Sequence, residues 1–249
     1  MILPEEVNII EKKAIQSETM MIIGLPDVGL VGLIATSYLI SELNLEEMAF
    51  MDSDFLPPVM VLHKGLPHAP LRMYGNDKVI AVVSELAIPA QSLHIVMRKI
   101  VDWAYTKKVN RIVAIGGIPL ENRQTINEPE VFVAASNQEL LNTVNKNGLK
   151  VLDEGYMVGP SALSMRYSIN KNIPAIAILA QSFYNYPDPQ ASALALKELS
   201  KISNLNIDVS KLLEKGEEIR LKARDMMKRT QDEMKRMKKS QEYDFPLYV

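Results

Sequence analysis

The chain has no cysteine, which excludes disulfide bonds, thiolate metal sites and cysteine nucleophiles. It also has little excess charge: 28 basic and 30 acidic residues give a net charge of −2, so there is no basic field for nucleic acid or anionic lipid. The patterns of phosphate loops (G-x-x-x-x-G-K-[ST]), serine hydrolases (G-x-S-x-G) and helical zinc sites (H-E-x-x-H) are absent too. What remains is a chain of 249 residues, 47% hydrophobic, which suits one large α/β domain or two small ones.

One stretch, residues 20–40, is long and apolar enough to suggest a membrane span. Pro26 and Asp27 interrupt its middle, and a lone aspartate at bilayer depth is costly. A buried strand, a tight turn and a buried helix account for the same residues, and this is the predicted structure. The first residues lack the basic-then-apolar order of a signal peptide, so we expect a cytoplasmic protein without a membrane segment.

Strand-like and helical patterns alternate along residues 1–205. Several strands are apolar throughout, which is typical of a parallel sheet covered by helices on both faces. The predicted fold is therefore α/β, a Rossmann-like three-layer αβα sandwich with a mostly parallel sheet. Strands are predicted at residues 7–15, 19–26, 46–55, 58–65, 69–75, 78–86, 111–118, 131–136, 149–152 and 173–182. Helices are predicted at residues 28–43, 89–108, 137–148, 159–172 and 187–204.

The composition changes after residue 205. Aromatic residues disappear between residues 208 and 240, charged residues dominate, and apolar or small residues recur near a three- and four-residue spacing. This pattern predicts a charged C-terminal helix over residues 206–240, followed by a flexible tail over residues 241–249. The helix either packs on the surface of its own domain or packs in part against another subunit, and the sequence favours neither.

Gly24, Gly29 and Gly32 form a glycine-rich turn between the first buried strand and its helix. A helix N-terminus in this position can bind an anion. The spacing differs from the dinucleotide pattern G-x-G-x-x-G, however, and Asp27 would repel a phosphate. The favoured interpretation is that the glycines allow the helix to pack closely on the sheet, and a nucleotide site is the alternative.

Two further groups of polar residues are candidates for a site. Glu121, Arg123 and Glu128 follow a second glycine turn at the carboxyl end of a predicted strand, where α/β proteins place ligands. His63 and His68 share a loop but lack the spacing of metal ligands, so no metal is expected. Neither group supplies a nucleophile, a base and an orienting residue, so the residues predict no catalytic site and no cofactor.

Three motifs occur together: IGLPDVGLVG after the first buried strand, VGPSALSMRY at the start of a helix, and IPAIAILAQSFYNYPDPQASALALKEL. Together they resemble the proteasome assembly chaperone family, the archaeal and bacterial relatives of the second eukaryotic assembly chaperone. The resemblance covers most of residues 20–205, and YPDPQASA at residues 186–193 is its most specific part. It implies an archaeal protein with a Rossmann-like αβα fold and no established catalytic residues.

The sequence ends in YDFPLYV. In archaeal relatives that act on proteasomes, the chain ends in a hydrophobic residue, a tyrosine and any residue, which here are Leu247, Tyr248 and Val249. The resemblance implies that this tail enters a pocket between α-subunits of the proteasome core particle, where its carboxylate pairs with a lysine and the tyrosine helps to open the gate. The alternative is that the three residues fold back onto the chain's own surface.

The resemblance therefore predicts an ATP-independent, non-enzymatic proteasome-binding protein that acts as an assembly chaperone, an activator or an adaptor that feeds the core particle. Because a single tail would bind weakly, a homo-oligomer is expected, either a tetramer or a pentamer. Two other functions stay open. One is a small-molecule ligase or nucleotide-binding enzyme that uses the turn from Gly24 to Gly32. The other is a structural oligomer whose charged helices bind each other.

Overall fold

The computed structural model describes residues 6–225 and residue 228. The strands are β1 (Val7–Glu11), β2 (Met20–Gly24), β3 (Glu46–Ser53), β4 (Val61–His63), β5 (Leu66–His68), β6 (Leu71–Gly75), β7 (Val79–Ser84), β8 (Arg111–Pro119), β9 (Val131–Ala135) and β10 (Ala175–Ser182). Eight of them form one sheet in the order β1-β3-β6-β7-β2-β8-β10-β9, and β4 pairs with β5 as a separate hairpin.

The sheet is parallel at its centre and antiparallel at its flanks. β2 pairs in parallel with β7 and β8, and β10 pairs in parallel with β8. The flanking pairs β1–β3, β3–β6, β6–β7 and β9–β10 are antiparallel. Every residue of β7 and nearly every residue of β10 is buried, as expected for strands covered on both faces.

Helices cover both faces of this sheet. They are α1 (Val31–Glu42), α2 (Ala90–Thr106), α3 (Gln138–Lys146), α4 (Gly159–Asn170), α5 (Pro189–Ile202) and α6 (Ser210–Glu214). Successive side chains of a strand point to opposite faces, so Ile22 belongs to the core beneath α1, α3, α5 and α6, whereas Met21 and Ile23 belong to the core beneath α2 and α4. The predicted three-layer α/β fold is confirmed.

The structure differs from the predicted elements in several places. β5 (Leu66–His68) lies between two predicted strands where no strand was predicted, and the C-terminal helical segment begins at Ser210 rather than at residue 206. The first helix begins at Val31 rather than at residue 28, because a 3₁₀ turn (Val28–Leu30) precedes it and Gly29 has a φ of 60°. The predicted strand at residues 149–152 makes only an isolated parallel bridge, in which Val151 faces Val133. The segment is short, and two backbone hydrogen bonds join it to β9. The N–H of Val133 donates to the carbonyl of Lys150, and the N–H of Leu152 donates to the carbonyl of Val133.

The described part of the C-terminal extension packs on its own domain. Residues 216–225 continue the helical conformation after α6. Leu212 is fully buried in the same core as α1, and Ile219 and Ala223 pack against that core. The hydroxyl of Tyr38 on α1 donates a 2.6 Å hydrogen bond to the carbonyl of Asp208. The described residues of the extension therefore contact the chain's own domain. A contact of the extension with another subunit stays a prediction.

Residues 20–40 fold as predicted, into β2, the 3₁₀ turn and most of α1. Their apolar side chains fill the core on one face of the sheet or the other. Across residues 6–225 and 228, no helix combines the length and the apolar composition that crossing a membrane requires.

A methyl group at Gly24 should destabilise the fold strongly. A Cβ atom there would lie 1.9 Å from Thr36 Oγ1 and 2.1 Å from the carbonyl oxygen of Gly32. Since the second neighbour is backbone, Gly24→Ala should lower the free energy of unfolding by about 3 kcal/mol or more. Urea unfolding measures this difference.

The matched control is Gly216→Ala. Gly216 is helical, and a Cβ atom there would meet only Pro189 Cβ, at an ordinary 3.8 Å. The control should leave stability unchanged or raise it by about 0.5–1 kcal/mol, because alanine favours a helix more than glycine does. Equal midpoints for Gly24→Ala and the wild type would contradict the close approach of α1 to β2.

Candidate functional site

The motifs of the sequence meet at the carboxyl edge of the parallel strands. The β2–α1 turn lies beside the start of α4, since a Cβ atom on Gly159 would be 3.3 Å from Asp27 Oδ2. The segment after β10 reaches the same turn, because the backbone N–H of Asp188 donates a 2.8 Å hydrogen bond to the carbonyl of Gly29. Three segments far apart in the sequence thus form one junction.

The glycines of this junction are needed for close packing. A Cβ atom on Gly32 would lie 2.3 Å from the carbonyl oxygen of Ile115 on β8. A Cβ atom on Gly29 would lie 1.7 Å from Ser182 Oγ on β10. In a dinucleotide site the glycines leave room for the ligand, whereas here protein atoms fill the space. These contacts agree with the packing interpretation of the turn, and nothing in them favours a nucleotide.

Asp27 places a largely buried carboxyl group at the same turn. Burial raises the pKa of Asp27, and the backbone N–H of Val28 offsets only part of that effect. A carboxyl group facing the start of α4 disfavours a phosphate, because an anion site at a helix N-terminus requires free N–H groups without a competing acid.

Glu121, Arg123 and Glu128, the candidate polar cluster of the sequence, do not come together, and the arginine has a different partner. Arg123 is buried and forms a two-pronged ion pair with Asp188, with Nε 2.8 Å from Oδ2 and NH2 3.2 Å from Oδ1. Its NH1 group donates to the carbonyl of Ile126 at 2.7 Å. Glu121 and Glu128 point into solvent. The three residues therefore do not form a common cluster, because the guanidinium pairs with Asp188 while the two glutamates are exposed.

Asp188 holds the most specific motif in place. Besides pairing with Arg123, its Oδ1 accepts a 3.0 Å hydrogen bond from the backbone N–H of Ala191 and so caps the start of α5. Its own backbone N–H binds Gly29. YPDPQASA is thus a structural motif, in which one residue joins three segments: its side chain contacts the loop after β8 and caps α5, and its backbone N–H contacts the β2–α1 turn.

A second polar cluster surrounds Arg72, and no pattern in the sequence predicted it. The Arg72 guanidinium is buried, hydrogen-bonds Glu85, and has NH1 3.8 Å from Glu47 Oε2. His63 Nε2 lies 2.9 Å from Glu85 Oε1, and His68 Nδ1 lies 3.4 Å from Glu47 Oε2. The only signal in the sequence is a charged residue within an apolar strand, and it does not reveal the partners.

The cluster lies at the floor of a groove of about 700 Å³ between the sheet, α1 and the C-terminal helical residues. Burial lowers the pKa of His63, and the Arg72 charge lowers it further. Burial alone would raise the pKa of Glu47, but its hydrogen bond with Lys12 and the charges of Lys12 and Arg72 outweigh that effect and lower it. Arg72 and Lys12 together balance the carboxylates of Glu47 and Glu85, so the cluster leaves no uncompensated charge for a ligand.

The histidines do not form a metal centre. The rings of His63 and His68 approach to 5.4 Å between centroids, but Arg72 lies among their carboxylate partners. Within the described residues, no group of three or more His, Cys, Asp or Glu side chains could hold a metal ion. The candidate anchor residues Leu247, Tyr248 and Val249 lie outside the described residues.

Comparison with known proteins identifies the family. The model of the PAC2 family matches residues 21–227. The chain belongs to the PAC2 family. PbaA of Pyrococcus furiosus, an archaeal homolog of proteasome-assembly chaperone, is 26% identical to it, and their structures align over 92% of this chain and 100% of that chain with a TM-score of 0.84.

Two further relatives are similar to this chain over most of their length, one in structure and one in sequence. PbaB of the same organism, an archaeal proteasome activator, is 22% identical and aligns over 88% of this chain and 98% of its own with a TM-score of 0.74, which shows the common fold. An uncharacterized protein of Methanocaldococcus jannaschii is 28% identical over 98% of this chain and 99% of its own.

The family expected from the three motifs is therefore confirmed. PbaA is described as a chaperone homolog and PbaB as an activator, and neither description names a catalysed reaction. This agrees with the expectation of a PAC2 protein that is not an enzyme.

Asp188→Ala should destabilise the protein by about 3–5 kcal/mol, because it leaves the Arg123 guanidinium buried without its counter-charge and removes the cap of α5. Asp188→Asn retains an acceptor for Ala191 and should lose less. Chemical denaturation gives both values.

The control is Glu130→Ala, which breaks the exposed ion pair with Lys150 and should cost less than about 1 kcal/mol. A loss of similar size for Asp188→Ala and Glu130→Ala would mean that the junction does not depend on Asp188.

Proposed function

We propose that this protein binds the proteasome core particle without ATP, as an assembly chaperone or an activator, and that Leu247, Tyr248 and Val249 anchor it. The observation that carries the proposal is the occurrence of an apolar-Tyr-X ending on a PAC2 chain. The description of PbaA as a homolog of proteasome-assembly chaperone and of PbaB as a proteasome activator supports the proteasome as the partner.

The chemistry of the three residues suits a pocket between α-subunits. A terminal carboxylate on a lysine forms a charge-assisted hydrogen bond of about 1.5–3 kcal/mol. Burying the side chains of Leu247 and Tyr248 adds about 1.5–3 kcal/mol each. Pro246 restricts the backbone before binding and so reduces the entropy lost on docking. The proposal requires a free carboxylate on Val249.

A single tail binds weakly, since the loss of translational and conformational freedom offsets most of these terms. The resulting dissociation constant lies between about 1 μM and 1 mM. Several tails on one homo-oligomer engage the same ring together, and such linkage strengthens binding by about 10²–10⁴-fold without new contacts. A tetramer or a pentamer supplies that number of tails.

Tyr248→Ala should abolish binding to the core particle while the domain stays folded. Each tail loses the burial of one aromatic ring, which corresponds to at least a tenfold weaker single-site affinity, and avidity multiplies the effect. The measurement is a binding titration on an immobilised archaeal core particle, with thermal unfolding as the check on folding.

Two controls define the result. Tyr105→Ala removes an exposed tyrosine at the end of α2 and should bind as the wild type does. A Gly-Ser extension after Val249 keeps all three side chains but displaces the carboxylate, and should bind as poorly as Tyr248→Ala. If Tyr248→Ala binds the core particle as strongly as the wild type does, the C-terminal tail is not the anchor.

The oligomeric state is a separate test. The protomer has a mass of 27.9 kDa, and light scattering at micromolar concentration should give four or five times that value. Tyr248→Ala should not change this mass, because the anchor is proposed to contact the proteasome and not another copy. A monomer at this concentration would contradict the proposal that several tails of one oligomer bind the same ring.

A further inference from the structure

Two arginines on the outer surface of α2 and α4 share one tyrosine. Arg98 and Arg166 are both exposed, and the Cζ atoms of their guanidinium groups lie 5.4 Å and 6.0 Å from the centroid of the Tyr167 ring. The ring itself is buried, and its hydroxyl oxygen lies 2.9 Å from Nδ1 of His94 on α2. A single fixed ring therefore holds both guanidinium groups close together.

Neither arginine has a carboxylate partner among residues 6–225 and 228. The helices α2 and α4 together contain one acidic residue, Asp102, and its Oδ1 lies 2.8 Å from Lys171 Nζ. The whole chain has a net charge of −2, so an excess of positive charge on these two helices is a local feature that composition alone does not produce.

An apolar depression lies further along the same two helices. A cavity of about 470 Å³ opens where both helices end, and its lining includes Tyr105, Val109 and Ile173. Tyr105 is 56% exposed, and Ile169 near the end of α4 is 51% exposed. Because Tyr105 follows Arg98 by seven residues on one helix, the depression begins about 10 Å from the arginines. The exposed residues Arg98, Tyr105, Arg166 and Ile169 are called the α2–α4 surface below.

The composition of this surface suits the binding of a protein. Arginine and tyrosine are the residue types that most often dominate the binding energy of protein interfaces. A planar guanidinium binds a carboxylate through two parallel hydrogen bonds. The tyrosine ring beneath the two guanidinium groups orders them before binding, so less conformational freedom is lost when a carboxylate arrives.

We propose that the α2–α4 surface is a docking site for an acidic segment of a second protein. Two neighbouring carboxylates of that segment pair with Arg98 and Arg166, and an apolar side chain enters the depression beside Tyr105. Since an extended chain advances about 3.3 Å per residue, the apolar residue follows the acidic pair by about three residues. A nucleic acid or a free phosphate would meet the arginines alone, because neither carries an aliphatic side chain for the depression.

This surface is separate from the proposed C-terminal anchor, and the site does not depend on the proposed function. The side chains beneath α2 and α4 belong to the core on one face of the sheet, whereas Leu212, Ile219 and Ala223 of the C-terminal extension belong to the core on the other face. A protein bound to α2 and α4 therefore leaves the described part of the extension uncovered.

The test measures the fluorescence anisotropy of a labelled peptide that repeats the unit Glu-Glu-Gly-Gly-Leu, titrated with the full chain at low salt. The comparison probes are the same peptide with lysine for glutamate, the same peptide with serine for leucine, and a thymidine oligonucleotide. The acidic peptide should bind at least tenfold more tightly than the lysine peptide and at least threefold more tightly than the other two probes. Any other order of affinities would overturn the proposal.

A matched set of variants assigns the binding to this surface. Arg98→Gln and Arg166→Gln should each weaken binding of the acidic peptide about threefold or more, and together at least tenfold. The control is Arg224→Gln, because Arg224 is also exposed and its Cζ atom lies 5.9 Å from the centroid of the Tyr186 ring. It should bind the peptide as the wild type does. Equal effects of the three single substitutions would overturn the proposal.

Two further variants exclude an indirect effect on the fold. Arg98→Glu combined with Arg166→Glu should bind the lysine peptide more tightly than the acidic one, a reversal that loss of folding cannot produce. Tyr105→Ala should remove the preference for leucine over serine in the peptide while binding of the core particle stays unchanged. Failure of the reversal, or a leucine preference that survives Tyr105→Ala, would contradict the proposed site.

Discussion

The close approach of the β2–α1 turn to β8 and β10 is the constraint on which the rest of the structure depends. Gly24 and Gly32 bring α1 against the sheet at distances that leave no room for a side chain. Asp188 then fixes the segment after β10 to the same turn and to Arg123. The junction places the loops before α4 and after β10 at one edge, and so determines where the exposed tyrosines lie.

The packing at this junction also favours the binding of a protein partner over the binding of a small ligand. At a topological position where many α/β proteins bind a ligand, this chain has protein atoms and the partly buried carboxyl group of Asp27. The polar groups of the fold are used internally: Arg123 by Asp188, and Arg72 by Glu85 and Glu47. Several large apolar and aromatic side chains, among them Leu62, Tyr156 and Tyr184, stay exposed on the domain, which suits protein partners better than a small substrate.

The sequence predicted the fold well because its signals are local. Apolar strands such as β7 and β10 and the helix after Pro89 follow directly from residue patterns. The roles of Arg123 and Arg72 could not be predicted, because their partners are 65 and 13 residues away and only the fold brings them together. Likewise, nothing in a single sequence distinguishes a loop arginine that binds a ligand from one that is buried on an aspartate.

The central claim is that a short C-terminal sequence on a rigid PAC2 domain acts on the proteasome. The most direct measurement is hydrolysis of a fluorogenic peptide by an archaeal core particle without ATP. The full-length chain should bind and accelerate hydrolysis, and a chain lacking Leu247, Tyr248 and Val249 should do neither. Equal binding by both chains would contradict the claim and assign the contact to the α/β domain.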